Sequence, residues 1–216
     1  MSLTKNFPDA QTVTTSLMSS TLEPKGFCNS VSGRGVSGIS LVNLLGAFLS
    51  ELEARYRKRD TSYTILGISF GGSTPMIWYP PYGQQVAILL SDECKQDVSR
   101  AIFQLAHECM HLLSPSGSRD ATLLEEGLAT SFQMEIAETY CLYPDDCSVD
   151  TLIQKENYKL ALRLSEELIN IDNHCIKRIL TKCGKFNKIN PKDITKEVPS
   201  FSLENAKLLC EKFDYS

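Results

Sequence analysis

Two histidines one helical turn apart with a glutamate between them, His107, Glu108 and His111 in the run HECMH, are the residues of this sequence best suited to chemistry. On a helix the two histidines project from one face, so their neutral imidazole nitrogens can close on a single metal ion, the ligand arrangement of zinc. Glu108 stands one step round from that face. There it is poorly placed as a ligand and well placed to take a proton from a water at the metal, the part of a general base. The chain has only three histidines, and two of them occupy this spacing.

The element that must carry these residues is visible around them. Val98, Ala101, Ile102, Leu105, Cys109 and Leu112 form an apolar stripe at about 100° per residue, with Gln104, His107 and His111 on the opposite side. That arrangement aims the histidines at a cleft rather than the core. A catalytic zinc takes three protein ligands and leaves one position open, so a third donor has to come from another element. Ser114 and Pro115 end the first helix, a small polar loop turns the chain, and an apolar period resumes at Leu123. Glu125 and Glu126 both qualify as the third ligand. Thr122 to Glu125 reads as a capping box in which the Glu125 carboxylate turns back to the Thr122 amide, and this leaves Glu126 as the ligand. Gly127 beside it would let the two helices approach closely. Thr130, one turn further on, is positioned to orient a ligand.

HECMH with Glu126 resembles the gluzincin group of zinc metallopeptidases, whose third ligand is a glutamate on the helix after the active-site helix. The run Glu126, Gly127, Leu128, Ala129, Thr130 is similar to the corresponding run of the aminopeptidase N family, in which the glutamate before the glycine is the ligand. The insert between histidine and glutamate is shorter here, which predicts a different cleft rim. The resemblance covers about residues 98 to 132. It implies one Zn2+ per chain and a donor for the oxyanion of the tetrahedral intermediate. Tyr158, at the start of YKLALRL, loosely matches the tyrosine that plays this part in the aminopeptidase N family. His174 is the other candidate, by analogy with thermolysin-like enzymes, and Tyr158 is preferred.

Elsewhere the chain reads as follows. Residues 1–36 are rich in Ser, Thr and Gly without a period and predict an arm, partly mobile. From Ser37 a helical period runs through Leu41, Leu44, Leu45, Phe48, Leu49 and Leu52 and ends in basic residues. Residues 62–70, PMIWY and QQVAILLS read as three strands. Pro75 suits an edge strand, which could take up an extended peptide as a further strand along Pro75 to Tyr79. After Tyr140 a turn-rich connector leads to one helix over TLIQKENYKLALRLSEELINI and a last one over ENAKLLCEKF; the lysine-rich stretch between them reads as a solvated face. The predicted fold is α+β and, by the resemblance, zincin-like: a backing helix, a small twisted sheet of three or four strands, the HECMH helix and the glutamate helix. The predicted organisation is an arm (1–36), a catalytic domain (37–140) and a helical C-terminal subdomain closing the cleft (141–216).

A net charge of −4 argues against a nucleic-acid surface, and no apolar run is long enough to span a membrane. No signal-peptide pattern opens the sequence, which predicts a cytoplasmic protein with reduced cysteines. Cys141 and Cys147, flanking a turn, are the exception to consider, as a disulfide or a second metal clip. The function this predicts is a zinc metallopeptidase acting on a peptide or protein substrate, with Glu108 as general base. A catalytically silent zinc- or peptide-binding module, or a hydrolase of a non-peptide amide, is the alternative. No feature specifies an oligomeric state.

Overall fold

The computed structural model describes residues 30–33, 36–81, 83–118, 120–143, 145 and 147–215. Most of the expected arm, and Cys28 with it, lies outside them. Where the arm enters, Ser30–Gly33 (β1) and Val36–Ser40 (β2) pair antiparallel, so the expected helix does not begin at Ser37. It begins at Leu41, with Ser40 accepting the Asn43 amide as its cap.

This first helix, α1 (Leu41–Arg55), buries the leucine and phenylalanine stripe that its period requires. Phe48 meets the Phe132 ring edge-to-face at 5.7 Å, and Arg55 grips both oxygens of Glu135 at 2.5 and 2.6 Å. Both partners lie on a later helix, which α1 therefore holds by an apolar contact and a bidentate ion pair.

Three strands form the sheet, β3 (Thr64–Phe70), β4 (Met76–Trp78) and β5 (Gln85–Leu90), in the order β3-β5-β4. β5 runs parallel to β3 and antiparallel to β4. Its central position explains its composition: Val86, Ala87, Ile88 and Leu90 are buried on both faces. β3 lies at one edge and β4, the strand preceded by proline, at the other, with Trp78 exposed on it.

The two helices of the motif follow. Asp97 caps α2 (Val98–His111) by accepting the Arg100 amide at 2.9 Å. Thr122 caps α3 (Leu123–Thr139) by accepting the Glu125 amide at 3.3 Å. α3 is buried nearly all round, between α2 on one side and a C-terminal helix on the other.

In the C-terminal third the single helix expected over 151–171 is broken in two, α4 (Val149–Leu152) and α5 (Glu156–Ile171). The extended residues between them bury Ile153 and bring Gln154 and Lys155 to a cavity wall. The lysine-rich stretch also folds: α6 (Cys175–Cys183) buries Ile176, Ile179 and Leu180 while its lysines stay outside, and α7 (Pro191–Glu197) starts with a proline and an Asn190–Asp193 capping box. The last helix is α8 (Leu203–Cys210). The described residues form a mixed α+β fold of eight helices with a small three-stranded sheet. Among them no helix is long and apolar enough to cross a membrane.

Gly127 does permit a close approach, but not to α2. A Cβ on it would lie 2.2 Å from the Ala161 carbonyl oxygen and 2.1 Å from Ser165 Oγ, so its work is to seat α3 against α5. Cys141 and Cys147 are free thiols that meet carbonyl oxygens, Glu138 for the first, Tyr143 and Ala137 for the second, in place of the disulfide considered as an exception.

Candidate metal centre

α2 and α3 bring His107, His111 and Glu126 together, with one donor atom of each lying within 4.8 Å of the others. Among the described residues this is the one group of three such side chains with that property. His107 Nε2 is 3.1 Å from Glu126 Oε2, and His111 Nε2 is 3.4 Å from Glu126 Oε1. Tetrahedral zinc with donors at about 2.0–2.1 Å requires donor separations of about 3.3–3.4 Å. Each imidazole lies near that separation from a different oxygen of Glu126, and the donor chemistry fits such an ion.

The outward nitrogens of the histidines are held by other side chains. His111 Nδ1 faces Glu125 Oε1 at 2.9 Å, and His107 Nδ1 faces Gln133 Oε1 at 3.3 Å. The Gln133 amide nitrogen donates to the Phe103 carbonyl at 3.2 Å, which turns its oxygen toward the imidazole. Both rings thus carry a partner for an Nδ1 proton and turn Nε2 inward, as metal-binding histidines require. Glu126 is buried to 1% and accepts from the Tyr215 hydroxyl at 2.8 Å. Thr130 Oγ1 donates to the Glu126 backbone carbonyl at 2.8 Å and so steadies the helix turn rather than the carboxylate.

The electrostatics follow from these contacts. Burial pushes the His111 ring toward neutrality, but the Glu126 charge and the Glu125 carboxylate override it and raise its pKa to about 10. Burial would likewise raise Glu126, yet His111 and His107 bring it down to about 2, so it stays an anion. For Glu125 burial prevails over His111 and the pKa rises. Burial, then the Glu126 charge, keeps the Tyr215 phenol protonated well above its ordinary range.

A cavity of about 730 Å³ opens over these groups, within the usual range for ligand sites. Its walls come from the β4 edge at Pro75, Met76 and Ile77, from Phe103 of α2, and from the connector before α5. Glu108, 3% exposed, lines it beside the histidines, and so does Tyr158, whose ring centre is 6.0 Å from that of His107.

The expectation for His174 is corrected: the residue sits exposed at the start of α6 and does not line the cavity, which removes it as a donor to a reacting group. Gln104 accepts from the Ser91 amide and the Cys94 thiol. The expected capping box is half present. Thr122 accepts the Glu125 amide, but the Glu125 carboxylate goes to His111.

Sequence reasoning missed three residues of the centre. Glu125 was in view and given to the cap. Gln133 lies two helical turns past Glu126 on the same face, a spacing that could have found it. Tyr215, 89 positions from Glu126, carries no local signal. No protein family, no curated protein and no solved structure matches this chain, so its function has to be read from its own residues.

Proposed function

We propose that the chain is a zinc-dependent metallopeptidase of gluzincin type on a zincin-like fold. The observation that carries this reading is the convergence of His107, His111 and Glu126 on one point at the wall of a cavity that Glu108 also lines. The first three would hold the metal. A bound zinc would supply the Lewis acidity that polarises a peptide carbonyl and makes water a nucleophile near neutral pH.

The remaining work belongs to the chain. Glu108 takes the proton of the attacking water on its carboxylate and hands it to the nitrogen of the leaving amine as the C–N bond breaks. Glu125 and Gln133 keep the two imidazoles from rotating, so the donors are already oriented before a metal or substrate arrives. β4, an edge strand among those described, borders the cavity, and an extended peptide could lie along Pro75 to Tyr79 and present its scissile bond there. Tyr158, on the cavity wall near His107, is the residue we assign to the developing oxyanion. Free thiols at seven described cysteines suit a reducing compartment such as the cytoplasm.

The test compares wild type with Glu108→Gln at equal zinc content on a broad peptide library. Wild type should cleave, and the variant should keep its zinc and lose turnover by about 100-fold or more. Zinc-loaded wild type that cleaves no peptide would refute the peptidase reading and leave a binding module or a hydrolase of another amide.

A further inference from the structure

The C-terminal segment reaches the candidate metal centre along the start of α3. Residues 211–213 pair with 121–123, with the Leu123 amide donating to the Glu211 carbonyl and the Phe213 amide to the Ala121 carbonyl, each at 2.9 Å. Phe213 is buried and meets the Tyr158 ring at 4.6 Å. Beyond it the backbone is held again: Asn157 donates to the Asp214 carbonyl, and Lys155 Nζ to the Tyr215 carbonyl at 2.8 Å. Tyr215 is therefore fixed in position although its ring is partly exposed. Its hydroxyl ends 2.8 Å from Glu126 Oε1.

Glu126 is the donor that most needs such a partner. Its side chain has three rotatable bonds, and at 1% exposure water cannot steady it. Oε2 faces His107 Nε2, while Oε1 faces both His111 Nε2 and the phenol. A neutral hydroxyl is the right group for this task. It satisfies a lone pair of the anion without a charge that would repel a cation.

We propose that Tyr215 is a positioning residue of the metal centre: its hydroxyl fixes the rotation of the Glu126 carboxylate so that both histidine Nε2 atoms face it. The inference rests on the metal-centre reading above and extends it to a segment that the HECMH motif does not reach. The strap of residues 211–215 then serves the donor set as well as the packing of α3.

Zinc titration of the full-length chain against a chromophoric chelator tests this, with wild type and Tyr215→Phe side by side and the melting temperature of each metal-free protein recorded. Phenylalanine keeps the ring against Phe213 and removes one oxygen, and Glu126 keeps both imidazoles as partners, so the metal-free melting temperatures should agree to within a few degrees. The zinc dissociation constant should rise about 10–100-fold, the usual effect of losing an outer partner of a ligand. Equal zinc affinity in the two proteins would overturn the proposal while leaving the metal centre standing. So would a loss of affinity matched by a fall in metal-free melting temperature, which would assign the effect to packing. Wild type that binds no zinc would remove both.

Discussion

Replacing Gly127 by alanine probes the contact that sets α5, and with it Tyr158, against the glutamate helix. The new Cβ would sit 2.2 Å from the Ala161 carbonyl oxygen, 2.7 Å from its carbon and 2.1 Å from Ser165 Oγ. An unforced carbon–oxygen contact is about 3.3–3.6 Å, so the two helices must part by roughly 1 Å. Ser165 can turn its hydroxyl aside, but Ala161 meets the methyl with backbone and cannot. Two opposed effects decide the sign. Alanine is about 1 kcal/mol better than glycine inside a helix, and overpacking of this kind costs about 1–3 kcal/mol, more when backbone is involved. Overlap with three atoms at once puts the cost at the upper end, for a net loss of about 1–2 kcal/mol.

At about 2–4 °C per kcal/mol for a chain of this size, the metal-free melting temperature should fall by roughly 2–8 °C. Peptide cleavage should suffer more than stability, because a displacement of about 1 Å near reacting groups can cost about 100-fold. Adding Ser165→Gly to Gly127→Ala should restore little, since the backbone overlap remains. Thermal melts and cleavage rates of the three proteins check this. A Gly127→Ala protein more stable than wild type would show that the helix-propensity gain is unopposed, and the claimed seating of α3 on α5 would be wrong.

Glu126→Ala should weaken zinc binding beyond the 10–100-fold range typical of outer partners, and Glu125→Ala should stay within it; competition with a chelator measures both, and the reverse order would exchange their assigned roles. Asp60 gives a pH dependence. Ser62 hydrogen bonds, opposed by partial burial and helped by Lys185, hold its carboxyl at about 2. Because that lies below the ordinary value of about 3.9, the folded protein gains stability from Asp60 above pH 4 and loses it as the pH falls toward 2. Asp60→Asn should lower stability near neutral pH by about 1 kcal/mol, solvent screening at this partly exposed site limiting the effect, and should flatten the stability curve between pH 4 and 2. Urea melts across that range would reveal an unchanged slope if Asp60 were idle.

What the sequence disclosed was what neighbouring residues encode. The stripe from Val98 to Leu112, the leucines of α1 and the β-branched runs of the sheet each repeat with the period of the element they build, and each forms close to its expected place. Failures occur where a distant contact competes with a local one. Glu125 had a legitimate place in a capping box, accepting the Thr122 amide at the buried start of α3, a bond with one charged partner. A charge-assisted bond to His111 in a buried site is the stronger offer, and the carboxylate takes it. Ile153 interrupts a continuous helical period because burying its side chain requires extended backbone at that point. The α6 stripe was hidden by the lysines that share its helix. Tyr215 could not be found at all, since only the folded chain brings residues 121–123 and 211–213 together.

α3 supplies a physical argument in favour of the proposed metal centre. Glu125, Glu126, Thr130 and Gln133 are all buried on one helix, and each is bonded to a named partner. Leaving any of them unpaired would cost about 1–3 kcal/mol, more for the carboxylates. Apolar side chains of similar volume would avoid that exposure to error, and replacing buried ion pairs by hydrocarbon is often neutral or stabilising. A helix at the centre of the core that needed only to pack would gain nothing from two adjacent carboxylates facing two imidazoles. Their presence is costly to stability and is accounted for when those carboxylates and imidazoles have a cation to hold.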